Sequence, residues 1–254
     1  MKNSKEYGHE KNVANFNLLI SECKSLGALY VPSNGDLTVD KLTELATRAK
    51  STLLAQGTAK SELDMAVNMR TTLFEGLPKL ITRIFRAARS AKFSDKDLKD
   101  MQEHIRKIRG TRANSKVTKA KKEAKLSTTP PDGEPVAAPA TVSVSQKGFD
   151  NQIKHFRELV DGLKINPLYK PNEEKLKVET LTKLVDDMDA QNQRSKEAYV
   201  TLSNLRQQRD ALLYKNGAGL YDIVMAVKDY IMSTEDTPQS AITRIRNISF
   251  RRLD

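Results

Sequence analysis

Apolar residues recur along this chain at helical spacing, and no run alternates apolar and polar positions as a half-buried strand would. Val39, Leu42, Leu45, Ala46, Ala49 and Leu53 fall within about 100° of one another on a helical wheel, a stripe that faces a core. Phe149, Ile153, Phe156 and Val160 make a second such face. The pattern predicts an all-α fold. A first helix is expected over about 12–26, and again over 150–163. A Tyr-x-Pro turn follows each, and then a long helix. An apolar third helix covers 77–91, with Pro78 in its first turn, or 219–232, and is expected to be the most buried element. A last helix starts at Ser94 or Thr237, hydroxyl residues suited to an N-cap. Its apolar positions are Leu98, Met101, Ile105 and Ile108, or Ile242, Ile245, Ile248 and Leu253.

Whether the long helix turns back is decided by breakers. No Gly or Pro occurs from Asn172 to Asn216, and Tyr199 and Leu202 keep the phase of Leu181 and Leu184. In the earlier segment Gly57 followed by Thr58 resembles a stop, yet Leu63, Val67 and Phe74 keep the phase of Leu42 and Leu45. A glycine inside a helix costs only about 1 kcal/mol relative to alanine, so one continuous helix of about 38 residues is expected in each place. The alternative is a hairpin with its tip at 189–196, a stretch that is polar all round.

The elements repeat because the sequence repeats. At an offset of 139, Tyr30 to Leu45 aligns with Tyr169 to Leu184, with identities at Tyr30/Tyr169, Pro32/Pro171, Leu37/Leu176, Val39/Val178, Leu42/Leu181, Thr43/Thr182 and Leu45/Leu184. The offset holds through Leu63/Leu202, Arg70/Arg209 and Leu73/Leu212, then shifts to 143 for Gly76/Gly219, Leu77/Leu220 and Ser90/Ser233. Chance is a poor account of this. The expected organisation is a tandem duplication of a four-element helical unit, with copies at 13–110 and 148–254 and a linker at 111–147. The linker has no aromatic residue and carries Pro130, Pro131, Pro135 and Pro139, so its front half is expected to extend the preceding helix and its back half to be a flexible tether.

Composition narrows the class. With 1 Cys, no Trp, 11 Gly and 30% charged residues, the chain is not collagen-like, disulfide-stapled or transmembrane. The opening MKNSKEYGHEKNVANF lacks an apolar stretch after its basic residues, so a cytoplasmic protein is expected. The net charge of +11 invites a nucleic-acid reading, and it is unevenly placed. Arg106, Lys107, Arg109, Arg112, Lys116, Lys119, Lys121, Lys122 and Lys125 stand against Glu123 alone within 106–125. These nine are the candidate nucleic-acid contacts, joined by the C-terminal Arg244, Arg246, Arg251 and Arg252. No interleaved aromatics or recognition motif accompany them, so any such binding is expected to be non-specific.

Other candidates read as structure. His9, His104 and His155 have no partner at metal-ligand spacing of the HExxH kind, so neither metal nor cofactor is expected. Cys23 lies among Leu18, Leu19, Ile20 and Leu26, as a buried thiol would. No nucleophile elbow is present, and Asn216-Gly-Ala-Gly lacks the strand and the Gly-Lys-Ser/Thr of a phosphate loop. Tyr30, Pro32, Tyr169 and Pro171 are expected to be structural turns, and Arg70 and Arg209 helix-to-helix bridges. Arg83, Arg86, Arg89 and Lys92 form a stripe that only the first copy carries, expected to be a solvated face. The expected function is a non-enzymatic, two-copy helical binding or scaffold protein engaging a protein partner, with non-specific DNA or RNA binding as the alternative.

Overall fold

Nothing breaks either long helix. In the computed structural model, which describes residues 4–111 and 148–253, α1 spans Ser4–Ser25, α2 Val39–Glu75, α3 Leu77–Ser90 and α4 Asp95–Arg109. Then come α5 Phe149–Ile165, α6 Val178–Tyr214, α7 Leu220–Ser233 and α8 Gln239–Asn247. Short 3-10 turns at Gly35–Leu37 and Glu174–Leu176 lead into α2 and α6. The described residues are thus all-α, and none of their helices is long and apolar enough to cross a membrane. Linker residues 112–147 lie outside the described residues.

Helices α2 and α6 have 37 residues each, so the continuous helix expected from the sequence is present and the hairpin is not. The polar stretch at 189–196 stays helical because its inward side chains find partners. Gln191 Nε2 and Ser195 Oγ both donate to the Ala66 carbonyl, at 3.1 and 3.0 Å. Asn192 accepts from Arg70 Nη1 at 3.2 Å and donates to Asp150 at 2.9 Å. A buried amide that is hydrogen-bonded on both sides carries no desolvation penalty that would push it outward. Tyr199 departs from the expected phase and is exposed, whereas Leu202 is buried.

A 37-residue helix rises about 55 Å, more than a small bundle is wide, so elements at its two ends draw on different cores. The chain accordingly divides into two compact units, one made of Met1–Met65 with Glu197–Asp254 and the other of Ala66–Lys196. We call them terminal and central, after their place in the sequence. The ranges 13–110 and 148–254 each contribute residues to both units.

In the terminal unit, Phe16, Leu19, Ile20 and Cys23 of α1 and Leu42, Ala46 and Ala49 of α2 share one core with Leu213, Val224, Val227, Ile231 and Ile245. In the central unit, Phe74, Ile81, Ile84 and Ala88 share a core with Met101, Ile105, Ile108, Phe156, Leu159, Leu181 and Met188. The third helices bury Ile81 and Ile84, or Val224 and Val227, completely, as their apolar character requires.

Helix ends follow local chemistry, with three departures. Ser94 Oγ accepts from the Asp97 amide at 3.1 Å, the expected N-cap. The first helix begins at Ser4 rather than near Asn12. The last begins after Pro238, not Thr237, and ends at Asn247, which leaves Ile248 at the cap and Leu253 in an extended tail. That tail is held by side chains instead of helical bonds. Lys228 Nζ donates to the Ile248 carbonyl at 2.6 Å, Asn15 to that of Ser249 at 2.6 Å, and Asn12 pairs with both backbone groups of Arg251.

Both Tyr-x-Pro turns make the same bond. The Tyr30 hydroxyl donates to the Leu37 carbonyl at 2.6 Å, and the Tyr169 hydroxyl to that of Leu176 at 3.0 Å. Burial pushes the Tyr169 hydroxyl up to about 12 and shifts Tyr30 upward as well, so both remain donors. Replacing either tyrosine by phenylalanine strands a buried carbonyl and is expected to cost about 1–2 kcal/mol in urea unfolding. An unchanged midpoint for both variants would show that the bond does not set the turn.

Gly76 and Gly219 are paired in the repeat yet serve different needs. A Cβ on Gly219 would lie 2.7 Å from the Lys215 backbone nitrogen and 2.9 Å from its oxygen, whereas one on Gly76 meets nothing within 4 Å. Gly219→Ala is therefore expected to destabilise the protein by about 1–3 kcal/mol. Gly76→Ala, at a φ of −76°, is expected to be neutral or to stabilise by about 0.5 kcal/mol. Equal effects of the two substitutions in the same denaturation assay would contradict this account.

Candidate functional site

The feature with the most chemistry lies where α4 packs on α5. Met101, Ile105 and Ile108 bury one stripe of α4, and Ile153, Phe156, Leu159, Val160 and Leu163 bury one stripe of α5. At the edge of this contact His104, from α4, meets His155 and Glu158, which stand one turn apart on α5. The Glu158 carboxylate oxygen Oε2 lies 2.8 Å from His155 Nδ1, in hydrogen-bond geometry, and 3.2 Å from His104 Nδ1. His104 Nδ1 is buried and, although close to that oxygen, is not aligned with it for a hydrogen bond. Burial works to raise the Glu158 carboxyl, but the His155 hydrogen bond and the charges of His155 and His104 outweigh it and hold the group below its ordinary value. An ionised carboxylate between two imidazoles can orient both rings, share a proton with either, or join them in holding a cation.

The expectation that His104 and His155 stand alone is thereby corrected. The three ligand atoms all lie within 4.8 Å of one another. His155 and Glu158 at i and i+3 were the only sequence signal. The third member is 51 positions earlier on a different helix, and residue spacing alone does not pair α4 with α5. A cavity of about 350 Å³ opens beside the cluster. It is walled by Phe93, Met101 and Leu159, with Asp97 and Asp100 at its rim.

The expected nucleic-acid contacts are only partly assembled. Arg106 and Arg109 line a groove of about 370 Å³ between α3 and α4, over Phe85 and Ile105. Arg109 donates to Thr82 at 2.7 Å, and Lys107 pairs with Glu103 at 2.9 Å. Arg112, Lys116, Lys119, Lys121, Lys122 and Lys125 lie outside the described residues. Of the α3 stripe, Arg83 is paired with Glu173, while Arg86, Arg89 and Lys92 are exposed. The C-terminal arginines are partly used internally: Arg244 pairs with Glu22 at 2.9 Å, and Arg252 donates to the Tyr214 carbonyl at 3.2 Å.

The remaining candidates are structural. Arg70 lies 4.1 Å over the Phe149 ring, besides its bond to Asn192, and Arg209 donates to Gln56 at 2.9 Å. Both bridges between helices end on amides, and Arg209 also pairs with its neighbour Asp210 at 2.8 Å. Pro32 and Pro171 are half-buried beside their tyrosines. His9 Nδ1 meets the Tyr214 hydroxyl at 2.8 Å, in a buried network that Asn12 shares. Gly217, at φ +75°, closes the turn before α7 and donates its amide to Asp222 at 2.6 Å, so Asn216-Gly-Ala-Gly is a helix-linking turn. The acidic run on α6 is bridged by Arg157, at 3.0 Å to Asp186 and 3.4 Å to Asp189.

Cys23 is buried, and burial above all pushes its thiol up to about 11. At about pH 8 the folded chain is expected to resist a thiol reagent, with reaction rising only over the denaturant range in which the helical signal is lost. Rapid, stoichiometric reaction of the folded chain would contradict this.

Compared with known protein families, curated proteins and solved structures, the chain matches none.

Proposed function

We propose that this chain is a non-enzymatic helical binding protein, built from two copies of one unit that exchange halves, and that it engages a protein partner through the loop around each Tyr-x-Pro turn. The observation that carries this reading is the exposure of large apolar side chains at that loop in both units. Leu29 and Val31 are exposed in the terminal unit, the latter at 71%, and Ile165 and Leu168 in the central unit, the former at 81%. Leu29 and Leu168 each stand immediately before the repeated tyrosine. Apolar side chains grouped at one loop and left to water mark a contact surface more often than scattered ones do.

The duplication is supported by long helices of equal length, third helices of 14 residues each, and the shared tyrosine bond. Two like loops on one chain suit bivalent engagement of a repeated or symmetric partner. A photo-crosslinking residue placed at Leu29, and separately at Leu168, is expected to capture the same protein in cells of origin, whereas one placed at Lys50 is not. Unrelated captures from the two loops, or equal capture from Lys50, would sink the reading.

A second reading has its own support. Residues 77–125 hold 16 Lys and Arg against 5 Asp and Glu, which equals the whole +11 of the chain and leaves the rest neutral. Such a segment, beginning with the exposed face of α3 and α4, suits the phosphate backbone of a nucleic acid without readout of bases. In fluorescence anisotropy with a short random duplex, binding is expected to weaken steeply over roughly 50–300 mM salt and to fall on changing Arg106, Arg109, Lys116, Lys119, Lys121, Lys122 and Lys125 to Gln. Absence of binding at the lowest salt would remove nucleic acid as a partner.

A further inference from the structure

We propose that His104, His155 and Glu158 form a site for a divalent transition metal of the zinc class. Two imidazole nitrogens and one carboxylate oxygen are the donor set such ions prefer, whereas calcium and magnesium call for a shell dominated by oxygen. Zinc bonds of about 2.0–2.2 Å place tetrahedral ligands roughly 3.3 Å apart. The 2.8 and 3.2 Å separations from Glu158 Oε2 already match that spacing, and the widest separation among the three atoms is within 4.8 Å. Closing the site therefore asks for rotation of the side chains, with both helices left in place.

Two further observations favour an ion over a plain ion pair. First, His104 Nδ1 is buried yet makes no hydrogen bond, although a carboxylate oxygen lies beside it. Such a group carries a desolvation cost that an aligned bond would offset, and a metal accepting its lone pair offsets it equally well. Second, the cluster belongs to one unit only. The buried stripe of α1, with Phe16, Leu19, Ile20 and Cys23, matches that of α5, with Phe156, Leu159, Val160 and Leu163, at an offset of 140. On α1 the positions that match His155 and Glu158 are therefore Asn15 and Leu18, with no imidazole and no carboxylate between them. The shared helical frame is thus complete without the cluster, and packing alone does not demand it.

The ligands sit on rigid elements, one on α4 and two on α5. His104 and Glu158 help to line the cavity of about 350 Å³ beside them. Water would fill the remaining position.

The test is titration of the full, untagged, metal-stripped chain with Zn²⁺ alone by calorimetry, beside His104→Ala and Glu158→Gln. Both changes are at half-exposed positions and spare the buried His155. One Zn²⁺ per chain is expected, with affinity falling by more than about 100-fold in each variant, since loss of even an outer partner of a ligand commonly costs 10–100-fold. Mg²⁺ is expected not to compete. Co²⁺ is expected to give the visible absorption of a tetrahedral site and, in the unmodified chain, to broaden the imidazole signals of His104 and His155 before those of His9, a readout that depends on no variant. Absence of stoichiometric binding, retention of it in both variants, or first broadening of His9 would overturn the proposal.

Discussion

The fold depends on two helices that do not stop. Each is a segment of 37 residues that keeps its apolar phase, past Gly57 in one and past the polar stretch at 189–196 in the other, and each contributes to two different cores. The helix before α2 and the helix after it therefore complete their packing with elements from the other half of the chain. So α1 shares its core with α7 and α8, and α3 and α4 share theirs with α5. The central unit is thus one continuous stretch from the middle of the sequence, and the terminal unit joins the two outer stretches. Had α2 turned back at Gly57, each copy would have been able to close on itself. The lack of a breaker between Asn172 and Asn216 is therefore as consequential for the architecture as any contact.

Long helices packed through small and polar residues need something to fix their register, because alanine and leucine tolerate a slide. Here the buried polar residues supply it. Within the central unit Arg70 reaches Asn192, and Gln191 and Ser195 converge on the Ala66 carbonyl. Within the terminal unit Arg209 reaches Gln56. A one-turn slide would leave these groups buried without partners, at a cost of about 1–3 kcal/mol for each. An apolar pair at the same places would impose no such penalty, so specificity rather than raw stability accounts for polar side chains at these positions.

How much of this is legible in the sequence depends on what spacing encodes. Periodicity shows which residues share a face, and it locates the stripe from Val39 to Leu53, the apolar third helices and the continuous long ones. The Tyr-x-Pro repeats point to matching turns, and the bonds from Tyr30 to Leu37 and from Tyr169 to Leu176 supply the reason. Spacing does not show which face meets which. Hence spacing does not mark the limits of the compact units at Met65 and Lys196, and nothing local joins His104 to His155. The end of α8 escapes the pattern for a related reason. The Asn12 and Lys228 side chains that replace its helical bonds come from distant parts of the chain, where no local signal reports them.

The proposed metal cluster and the proposed contact loop of the central unit share a wall. Ile165, Asn166 and Pro167 line the same cavity as His104 and Glu158, and Asn166 is tied to Asp97 of α4 at 3.3 Å. An ion joining α4 to α5 would fix the end of α5 from which Ile165 projects and hold Leu168 in one place before its tyrosine. A loop ordered in advance loses less conformational freedom on binding than one that must be ordered by its partner. Among the described residues no such cluster lies in the terminal unit; a charged tie there is the pair of Arg244 with Glu22. Two loops with like chemistry and unlike stiffness would bind a symmetric partner unequally. The central unit would engage first, and the terminal unit would follow at the local concentration that the first contact creates.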